Sequence, residues 1–582
     1  MIHRIVFPLV VAGLTAICFL PALSGSFLNW DDNVNFLGNT AFRGLGPEQV
    51  RWAFSSVLFG HYIPLTRLTW SLNYVLGGMD PWGYHLVNLL LHAANAALVY
   101  VVGRRLLAAA VGGGAQAGRD QRDLCVAAAL AALVFGMHPL RVEPVAWITG
   151  RADLLCATFA LVAVWAYLCA IERPGPGPMV VSAVALAAAL LSKGTALPLM
   201  AALLLLDVYP LRRLAGLDAR ALFREKVPLL LVTLVGAVLI GWAVREGAVL
   251  NQGEGYGLGA RTAVAAYSFM IFPIRFLWPF SLSPLHEMPR GISLLEPRFG
   301  LAVIAAAAVT VALIVARRRW PAGLAAWAFS ALMLAPTSVA LRLGVDLAPD
   351  RYSYLSGLGF AMLVGGAVPG AIRLARRGHL ARPIRWAASL APLIVLGGLG
   401  LTSWSLAEVW RDSETLWRWS VELDPACSVC HAKLGETVLG GAGGPERAIE
   451  AERLFRRAIT LRPDLPDAYF NLGTALVVQG RYGEAEVPLR TYMERVPQAA
   501  SGPERLGLLH LLQRRYDTAI PLLRTALTRS PQAPGLRTYL AQALQARAAE
   551  LRAGGRTTEA DALLTEARTL GPDASAVSST RP

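Results

Sequence analysis

Long apolar runs separated by short polar loops fill the first two thirds of the 582-residue chain. Runs of this length are those that cross the hydrocarbon core of a bilayer as helices. The pattern predicts about eleven spans, near residues 5–22, 86–107, 124–138, 154–171, 179–192, 194–208, 227–244, 299–316, 321–341, 354–371 and 386–406. A further apolar stretch, 260–280, is interpreted as re-entrant or interfacial, because counting it as a crossing would move Arg317 to Arg319 outside.

The last third of the chain has a different periodicity. Pro463, Pro497 and Pro531 are 34 residues apart, which is the period of the tetratricopeptide repeat, a pair of helices that stacks on its neighbours. We predict about four repeats ending near Gly571 and a disordered Ser/Ala/Thr tail. The predicted fold class is therefore all-α. A membrane helical bundle (1–410) is followed by a tetratricopeptide-repeat α-solenoid (411–572) and a tail (573–582).

Composition and charge support the membrane assignment. The chain is 55% hydrophobic and 16% charged, too apolar for a soluble protein of this length. Its net charge of +15 does not indicate a nucleic-acid partner, because the basic residues cluster between spans, as in cytoplasmic loops. These clusters are Arg104, Arg105, Arg119 and Arg122; Arg212, Arg213, Arg220, Arg224 and Lys226; Arg317 to Arg319; and Arg373, Arg376, Arg377, Arg382 and Arg385.

The predicted topology starts with the N-terminus inside. Residues 1–23 resemble a signal peptide, but the apolar stretch is long enough to span and further spans follow, which favours a retained first helix. An odd number of crossings then places the repeats outside. Two of the six cysteines, Cys427 and Cys430, form C-x-x-C-H with His431. Haem attachment is one interpretation, and a disulfide is favoured because no distal axial ligand is evident.

Paired carboxylates follow the first span directly, at Asp31 and Asp32. Such a pair can supply a general base, ligands for a metal, or a hydrogen-bonding hub that caps a turn. Spacing alone leaves these three uses open. No cofactor is required by the sequence, and a divalent metal is left open.

Other polar residues lie in loops on the same predicted outer face. They are Arg67 and His85 in the first loop, His138, Glu143, Arg151 and Asp153 in the second, and Lys193, Asp350 and Arg351 later. Arg151 could meet an anionic lipid head or pair locally with Asp153, and spacing does not decide. A transporter would bury ionisable residues near the midplane. Clustering on one face instead favours an enzyme acting on a lipid with an anionic head.

Several strings resemble a known family. They are Trp30-Asp31-Asp32, IPLTRLTWSLNYVLGGMDPWGYHLVNLLLH (63–92), HPLRVEPVAWITGRADLLCATF (138–159) and DRYSYLSGLGF (350–360). Together with the repeats, they resemble the transmembrane and tetratricopeptide-repeat-containing protein O-mannosyltransferases of the glycosyltransferase C class, and their bacterial relatives. The resemblance covers nearly the whole chain.

The resemblance implies an inverting transfer of sugar from a polyprenyl-phosphate carrier to a hydroxyl, protein Ser/Thr in the eukaryotic members. It implies that Asp31 or Asp32 is the catalytic base. Arg151, Lys193 and Arg351 are then candidates to stabilise the departing phosphate, and His138 and Glu143 to shape the sugar or acceptor site. Asp153, Arg67 and His85 complete the predicted substrate-binding set. The expected partners are the lipid-linked donor, a protein or glycan acceptor that the repeats could bind, and membrane lipid.

The chain also departs from the family pattern. Where a lysine-glutamate pair before glycine is expected, this chain has Ser192, Lys193 and Gly194. The glutamate is missing, so any role that the family assigns to it is in doubt for this chain. Its alanine- and arginine-rich composition indicates a bacterial protein, which predicts the cytoplasmic membrane with periplasmic repeats and leaves the donor sugar open. Two other classes stay open: a membrane scaffold for envelope protein assembly, and a transporter of lipid-linked saccharide.

Overall fold

The computed structural model describes residues 2–111, 119–173, 175–213, 219–247, 257–337, 346–377, 382–442, 444–533 and 535–570. Within these ranges the chain is helical, with two isolated β-bridges and no strand. The all-α prediction is thus confirmed. The predicted tail, 573–582, lies outside the described residues.

The chain divides into two compact units, Met1–Trp419 and Ser420–Pro582. The predicted domain limits at 410/411 and 572/573 remain a prediction. Helices of the first unit are α1 (Ile2–Cys18), α2 (Pro47–Ser55), α3 (Pro64–Gly77), α4 (Pro81–Val111), α5 (Arg119–Gly136), α6 (Val142–Ala146), α7 (Arg151–Glu172), α8 (Pro176–Ser192), α9 (Leu199–Val208), α10 (Ala219–Glu246), α11 (Leu258–Leu277), α12 (Pro297–Ala316), α13 (Pro321–Leu334), α14 (Ser353–Ser356), α15 (Leu358–Arg377) and α16 (Arg382–Val409). Helix α17 (Ser413–Leu423) leads to the second unit.

The predicted spans coincide with apolar helices. Among the described residues, five helices are long and apolar enough to cross a membrane, or six if one bent pair is a single span. The five are Pro81–Val111, Ile148–Glu172, Phe223–Glu246, Pro297–Ala316 and Leu390–Val409. Shorter apolar helices match the other predicted spans, at Ile5–Cys18, Pro176–Ser192, Gly194–Val208, Pro321–Leu334 and Leu358–Pro369. Such helices are those of an integral membrane protein.

The bent pair lies at Pro139. Residues Gln121–Gly136 and Pro139–Ala146 form two helical pieces that meet at 60°, because proline has no N–H with which to continue the ladder. Side chains of other helices satisfy the carbonyls freed at the break. His92 Nε2 lies 2.9 Å from the Gly136 oxygen, and Ser403 Oγ donates to the Met137 oxygen at 2.8 Å.

Small residues bring the apolar helices together. At Gly365 of α15 an added Cβ would lie only 2.5 Å from the Cβ of Ala131 on α5. Close approach at small residues is how helices gain packing energy in a bilayer, where burial from water contributes nothing. The segment interpreted as re-entrant or interfacial is helix α11, which is absent from the set of long apolar helices, and that interpretation stays a prediction.

Among its described residues, the second unit contains four helix pairs. They are α18 (Ser428–Gly440) with α19 (Gly444–Leu461), α20 (Pro466–Val478) with α21 (Tyr482–Arg495), α22 (Ser501–Leu512) with α23 (Tyr516–Arg529), and α24 (Leu536–Ala553) with α25 (Thr557–Thr569). A disulfide joins Cys427 and Cys430 at the start of α18, as the disulfide interpretation predicts.

Glycines set the contact within three of these pairs. A Cβ added to Gly435, Gly473 or Gly507 would lie 2.5–2.7 Å from the facing side chain, which is Phe455, Leu489 or Leu523. The last two glycines are 34 residues apart, like Pro463 and Pro497, and the first two are 38 residues apart, like Pro425 and Pro463. The repeat period is therefore present in the glycines at the helix contacts as well as in the prolines.

Candidate functional site

One cavity brings together residues of the loops that the sequence predicts to share a face. Its volume is about 690 Å³, open mouth included. It is lined by Asp31, Asn35, Leu58, Phe59, His61, Ile63, Arg67, Trp70, Trp147, Thr149, Ala152, Lys193, Arg351 and Tyr352. Four predicted site residues are in this wall: Asp31, Arg67, Lys193 and Arg351. The cavity therefore combines a carboxylate, three cations and several aromatic rings, a lining that suits a polar, anionic ligand.

Asp31 is placed in the cavity wall by an unusual backbone conformation. Its φ is +65°, in the left-handed region, where aspartate is tolerated better than most residues. Its carbonyl oxygen accepts hydrogen bonds from the N–H groups of Val34 and Asn35, at 3.1 and 2.8 Å, and so starts the π-helical turn Asn33–Leu37. Left-handed conformations of residues other than glycine cluster at functional sites.

Asp32 has a different environment from its neighbour. It is fully buried, is not part of the cavity lining, and accepts three hydrogen bonds. Its Oδ2 accepts from the Leu28 N–H at 3.0 Å, and its Oδ1 from the Thr149 N–H at 3.2 Å and hydroxyl at 2.6 Å. Burial raises the pKa of Asp32 to about 7, although these donors act in the opposite direction. Asp32 therefore ties the first loop to the second.

A second tie acts on the residue before Asp31. The indole Nε1–H of Trp147 donates to the Trp30 carbonyl oxygen at 2.7 Å. Trp30 and Asp32 are thus both bonded to the segment 147–149, with Asp31 between them. This arrangement fixes the backbone on either side of the Asp31 carboxylate.

Glu143 holds Arg351 from behind the cavity wall. The buried Glu143 carboxylate forms an ion pair with the Arg351 guanidinium and accepts the Arg351 backbone N–H at 2.8 Å. The guanidinium lies over the rings of Trp147 and Tyr352, 5.3 Å from each centroid. Because Glu143 is close, the pKa of Arg351 is raised, against the effect of burial. Arg351 is therefore fixed in place and stays charged.

Asp153 and Lys193 form a second ion pair, with Nζ 2.6 Å from Oδ2. Asp153 is 6% exposed at its side chain, whereas Lys193 reaches the cavity. Among the described residues, the local Arg151–Asp153 pair considered from the sequence is not formed, because Asp153 pairs with Lys193 instead. Like Glu143, Asp153 supports a cavity cation without lining the cavity itself.

Arg67, in the first turn of α3, is the third cation of the wall. Its Nη1 donates to the carbonyl and hydroxyl oxygens of Ser56, at 2.5 and 2.6 Å, and its guanidinium lies 5.0 Å from the ring centroid of Trp52. The residue is 1% exposed, and burial lowers its pKa to about 10. Its charge nevertheless persists at neutral pH.

Besides Glu143 and Asp153, three more predicted substrate-binding residues lie outside the cavity lining. Arg151 is fully buried and donates to Asn88 Oδ1, Asn73 Oδ1 and the carbonyl oxygens of Thr69 and Tyr84. The ring of His138 stacks on Phe276, with Nε2 3.0 Å from the Phe276 carbonyl oxygen. His85 is fully buried, against Gly25. These side chains join structural elements, and their predicted contact with substrate stays untested.

Sequence reasoning missed Asn35 and Thr149. Asn35 Nδ2 donates to Thr149 Oγ1 at 3.1 Å, which in turn donates to Asp32, and both residues line the cavity. Neither ionises, so neither stood out among the polar residues near the spans. The available signal was the position of Thr149 within the string from His138. Among the described residues, no three His, Cys, Asp or Glu side chains are grouped as a metal site requires.

No family model matches the chain. It is similar to curated proteins named protein O-mannosyl-transferase. It is 36% identical to human TMTC4 over 171 residues, 27% of this chain and 22% of the human protein. It is 34% identical to Drosophila melanogaster Tmtc1 over 198 residues, 32% of this chain and 21% of that protein. The similarity spans about a fifth of the length of these relatives. Their names confirm the resemblance drawn from the sequence.

Two solved structures are also similar to parts of the chain. MamA matches 27% of this chain and 85% of its own, at 18% identity and a TM-score of 0.23. YrrB, described as a TPR protein with an unusual peptide-binding site, matches 36% of this chain and 93% of its own, at 17% identity and a TM-score of 0.24. These TM-scores are too low to bear on fold or function.

Proposed function

We propose that the chain is a membrane glycosyltransferase that moves a sugar from a polyprenyl-phosphate carrier to an acceptor hydroxyl on the outer face of the membrane. The observation that carries the proposal is the cavity in which Asp31 shares a wall with Lys193 and Arg351, each cation held by a buried acid. The names of the relatives support a transferase. Mannose, a protein Ser/Thr acceptor and a bacterial cytoplasmic membrane are the finer parts of the proposal.

Asp31 is the proposed general base. Its carboxylate takes the proton of the acceptor hydroxyl as that oxygen forms a bond to the anomeric carbon of the sugar. The bond between the anomeric carbon and the phosphate oxygen breaks, and its electron pair leaves with the phosphate. Attack from the face opposite the phosphate inverts the anomeric centre, so no covalent enzyme intermediate is needed. Asp31 suits this role better than Asp32, because Asp31 lines the cavity and Asp32 is buried behind it.

Lys193 and Arg351 are the proposed stabilisers of the departing phosphate. Negative charge grows on the phosphate oxygens as the glycosidic bond breaks, and cations fixed in advance stabilise that charge without having to reorganise. Asp153 and Glu143 hold these cations in place, since each is buried and forms an ion pair with one of them. Arg151 is assigned a positioning role, because its donors are occupied by Asn73, Asn88 and backbone oxygens.

The helical repeats are proposed to recruit or present the acceptor. Stacked helix pairs form extended surfaces that bind peptide segments or other subunits. With eleven crossings and the N-terminus inside, the repeats and the cavity are on the same side of the membrane. The disulfide between Cys427 and Cys430 supports that side being the oxidising one.

The test is a transfer assay with purified protein in detergent. A panel of radiolabelled polyprenyl-phosphate sugars is supplied with an envelope protein extract, and the wild type is compared with Asp31→Asn, Asp32→Asn and the exposed Asp80→Asn as a control. We expect label in protein for the wild type and Asp80→Asn, a loss of about 100-fold or more for Asp31→Asn, and a smaller loss for Asp32→Asn. Full activity of Asp31→Asn would overturn the base assignment. A folded wild type with no turnover of any donor would favour the scaffold.

A further inference from the structure

The three cations of the cavity wall differ in one respect. Lys193 pairs with Asp153 and Arg351 with Glu143. Arg67, in the ranges that the structure describes, forms no ion pair, and the hydrogen bonds of its guanidinium run through Nη1 to one serine, Ser56. It is 1% exposed, so water does little to offset its charge.

A buried guanidinium without a counter-charge is costly. Removing an ion from water costs several kcal/mol even after relaxation, and buried charges in proteins are therefore usually paired. Ser56 and the ring of Trp52, 5.0 Å away, offset only part of this cost, because neither carries a negative charge. The arrangement also fixes one edge of the guanidinium and leaves the Nε and Nη2 edge to donate elsewhere.

We infer that Arg67 is the principal anion subsite of the cavity and that it binds the phosphate of the lipid-linked ligand. The Nε and Nη2 edge of a guanidinium matches two oxygens of a phosphate, which is the geometry in which arginine binds this group most strongly. Lys193 and Arg351 are already neutralised by their acids, so their net attraction for a ground-state phosphate is smaller. The identity of the ligand rests on the proposed function, whereas the presence of an anion subsite does not.

Arg67 then differs from the paired cations in its effect on binding. A phosphate held by Arg67 before reaction is an interaction present in the ground state, so its loss weakens binding of donor and of released carrier alike. The ion-paired cations are expected to act more on the rate of the chemical step. Arg67 therefore determines which ligands enter the cavity.

The test measures the melting temperature of the full-length protein in detergent by tryptophan fluorescence. The probes are farnesyl phosphate, its neutral counterpart farnesol, and inorganic phosphate. The variants are Arg67→Met, Arg67→Lys and Arg51→Gln, which removes the same charge from an exposed position of α2. We expect farnesyl phosphate to stabilise the wild type and Arg51→Gln more than farnesol does. We expect Arg67→Met to lose this phosphate-dependent difference, with affinity reduced about 30-fold or more, and Arg67→Lys to be intermediate.

Stability without ligand separates this role from a structural one. If Arg67 is kept for an anion, Arg67→Met removes an uncompensated buried charge and melts at the same or a higher temperature than the wild type. The proposal would be overturned if farnesyl phosphate, compared with farnesol, stabilised Arg67→Met as much as the wild type. If Arg67→Met does not fold, the same result in Arg67→Lys would overturn it. Equal stabilisation by inorganic and farnesyl phosphate would assign the site to free phosphate. An Arg67-dependent response without sugar transfer would leave this subsite standing and refute the transferase.

Discussion

Asp31 and Asp32 are adjacent in the chain, yet their side chains serve different purposes. Asp31 reaches the cavity from a left-handed residue, while Asp32 accepts three hydrogen bonds behind the wall. Of the alternatives that the sequence leaves open, the hydrogen-bonding hub describes Asp32, and the base is the role proposed for Asp31. Burial is the main cause of the raised pKa of Asp32, and the nearby charge of Asp31 adds to it.

The pKa of Asp32 predicts how stability varies with pH. Its folded value, about 7, lies above the ordinary 3.8, so its contribution to stability is full below pH 3.8 and is lost as pH rises through 7. The difference in pKa corresponds to about 4 kcal/mol at most. We expect the melting temperature of the wild type to fall between pH 5 and pH 8, and that of Asp32→Asn to fall less. Equal slopes for the two proteins would refute this assignment.

The sequence pointed to cavity residues that carry a charge, because a charge beside a bilayer is costly. It did not point to the uncharged ones. Asp31, Lys193 and Arg351 stand out because charges beside a bilayer need a reason. Pairings across loops could not be predicted, because Glu143 and Arg351 are 208 residues apart and only the fold joins them. Asn35 and Thr149 carry no charge, so only their three-dimensional position reveals them.

At the scale of elements, the repeat is defined by where helices touch. Gly473 lets α20 approach α21 so closely that a Cβ would lie 2.5 Å from Leu489. Sequence periodicity predicted the helix pairs because proline recurs at a fixed interval. It also predicted a loop near Pro139, but not the bend of 60° or the side chains that seal it.

Replacing this glycine tests the packing. We expect Gly473→Ala to lower the free energy of unfolding of the repeats by about 1–3 kcal/mol, because the added methyl group overpacks the contact. Gly483→Ala, in α21, meets open space and should change it by no more than about 0.5 kcal/mol. Thermal unfolding followed by circular dichroism measures both. A neutral Gly473→Ala would show that the helices separate at little cost.

At the scale of the whole molecule, the topology prediction assigns each unit to a side of the membrane. Periodicity and apolar length predicted two kinds of sequence and the positions of the spans, and the helices agree with them. The side of the membrane was inferred from arginine-rich loops and an odd number of crossings. It does not follow from the structure of any single helix.

Cysteine labelling tests this topology. Asp80→Cys, Arg318→Cys and Glu559→Cys each introduce a thiol at an exposed position, while the native free cysteines are buried or partly buried. In spheroplasts, whose cytoplasmic membrane is intact, we expect a membrane-impermeant maleimide to label positions 80 and 559. Position 318 should react only after the membrane is permeabilised. Labelling of 318 and 559 under the same condition would mean an even number of crossings between these two positions, where the prediction has three (321–341, 354–371 and 386–406).

The sealed bend at Pro139 has a consequence for biogenesis. Of the two side chains that bond the freed carbonyls, His92 is synthesised before the bend and Ser403 some 260 residues after it. A translating ribosome therefore delivers α5, and Met137 after it, before the hydroxyl that bonds the Met137 oxygen exists, and a carbonyl oxygen that is buried without a partner costs free energy. The early helices are expected to stay bound to the insertion machinery or to a chaperone until α16 is synthesised. A chain truncated before Ser403 should therefore be degraded by membrane quality control.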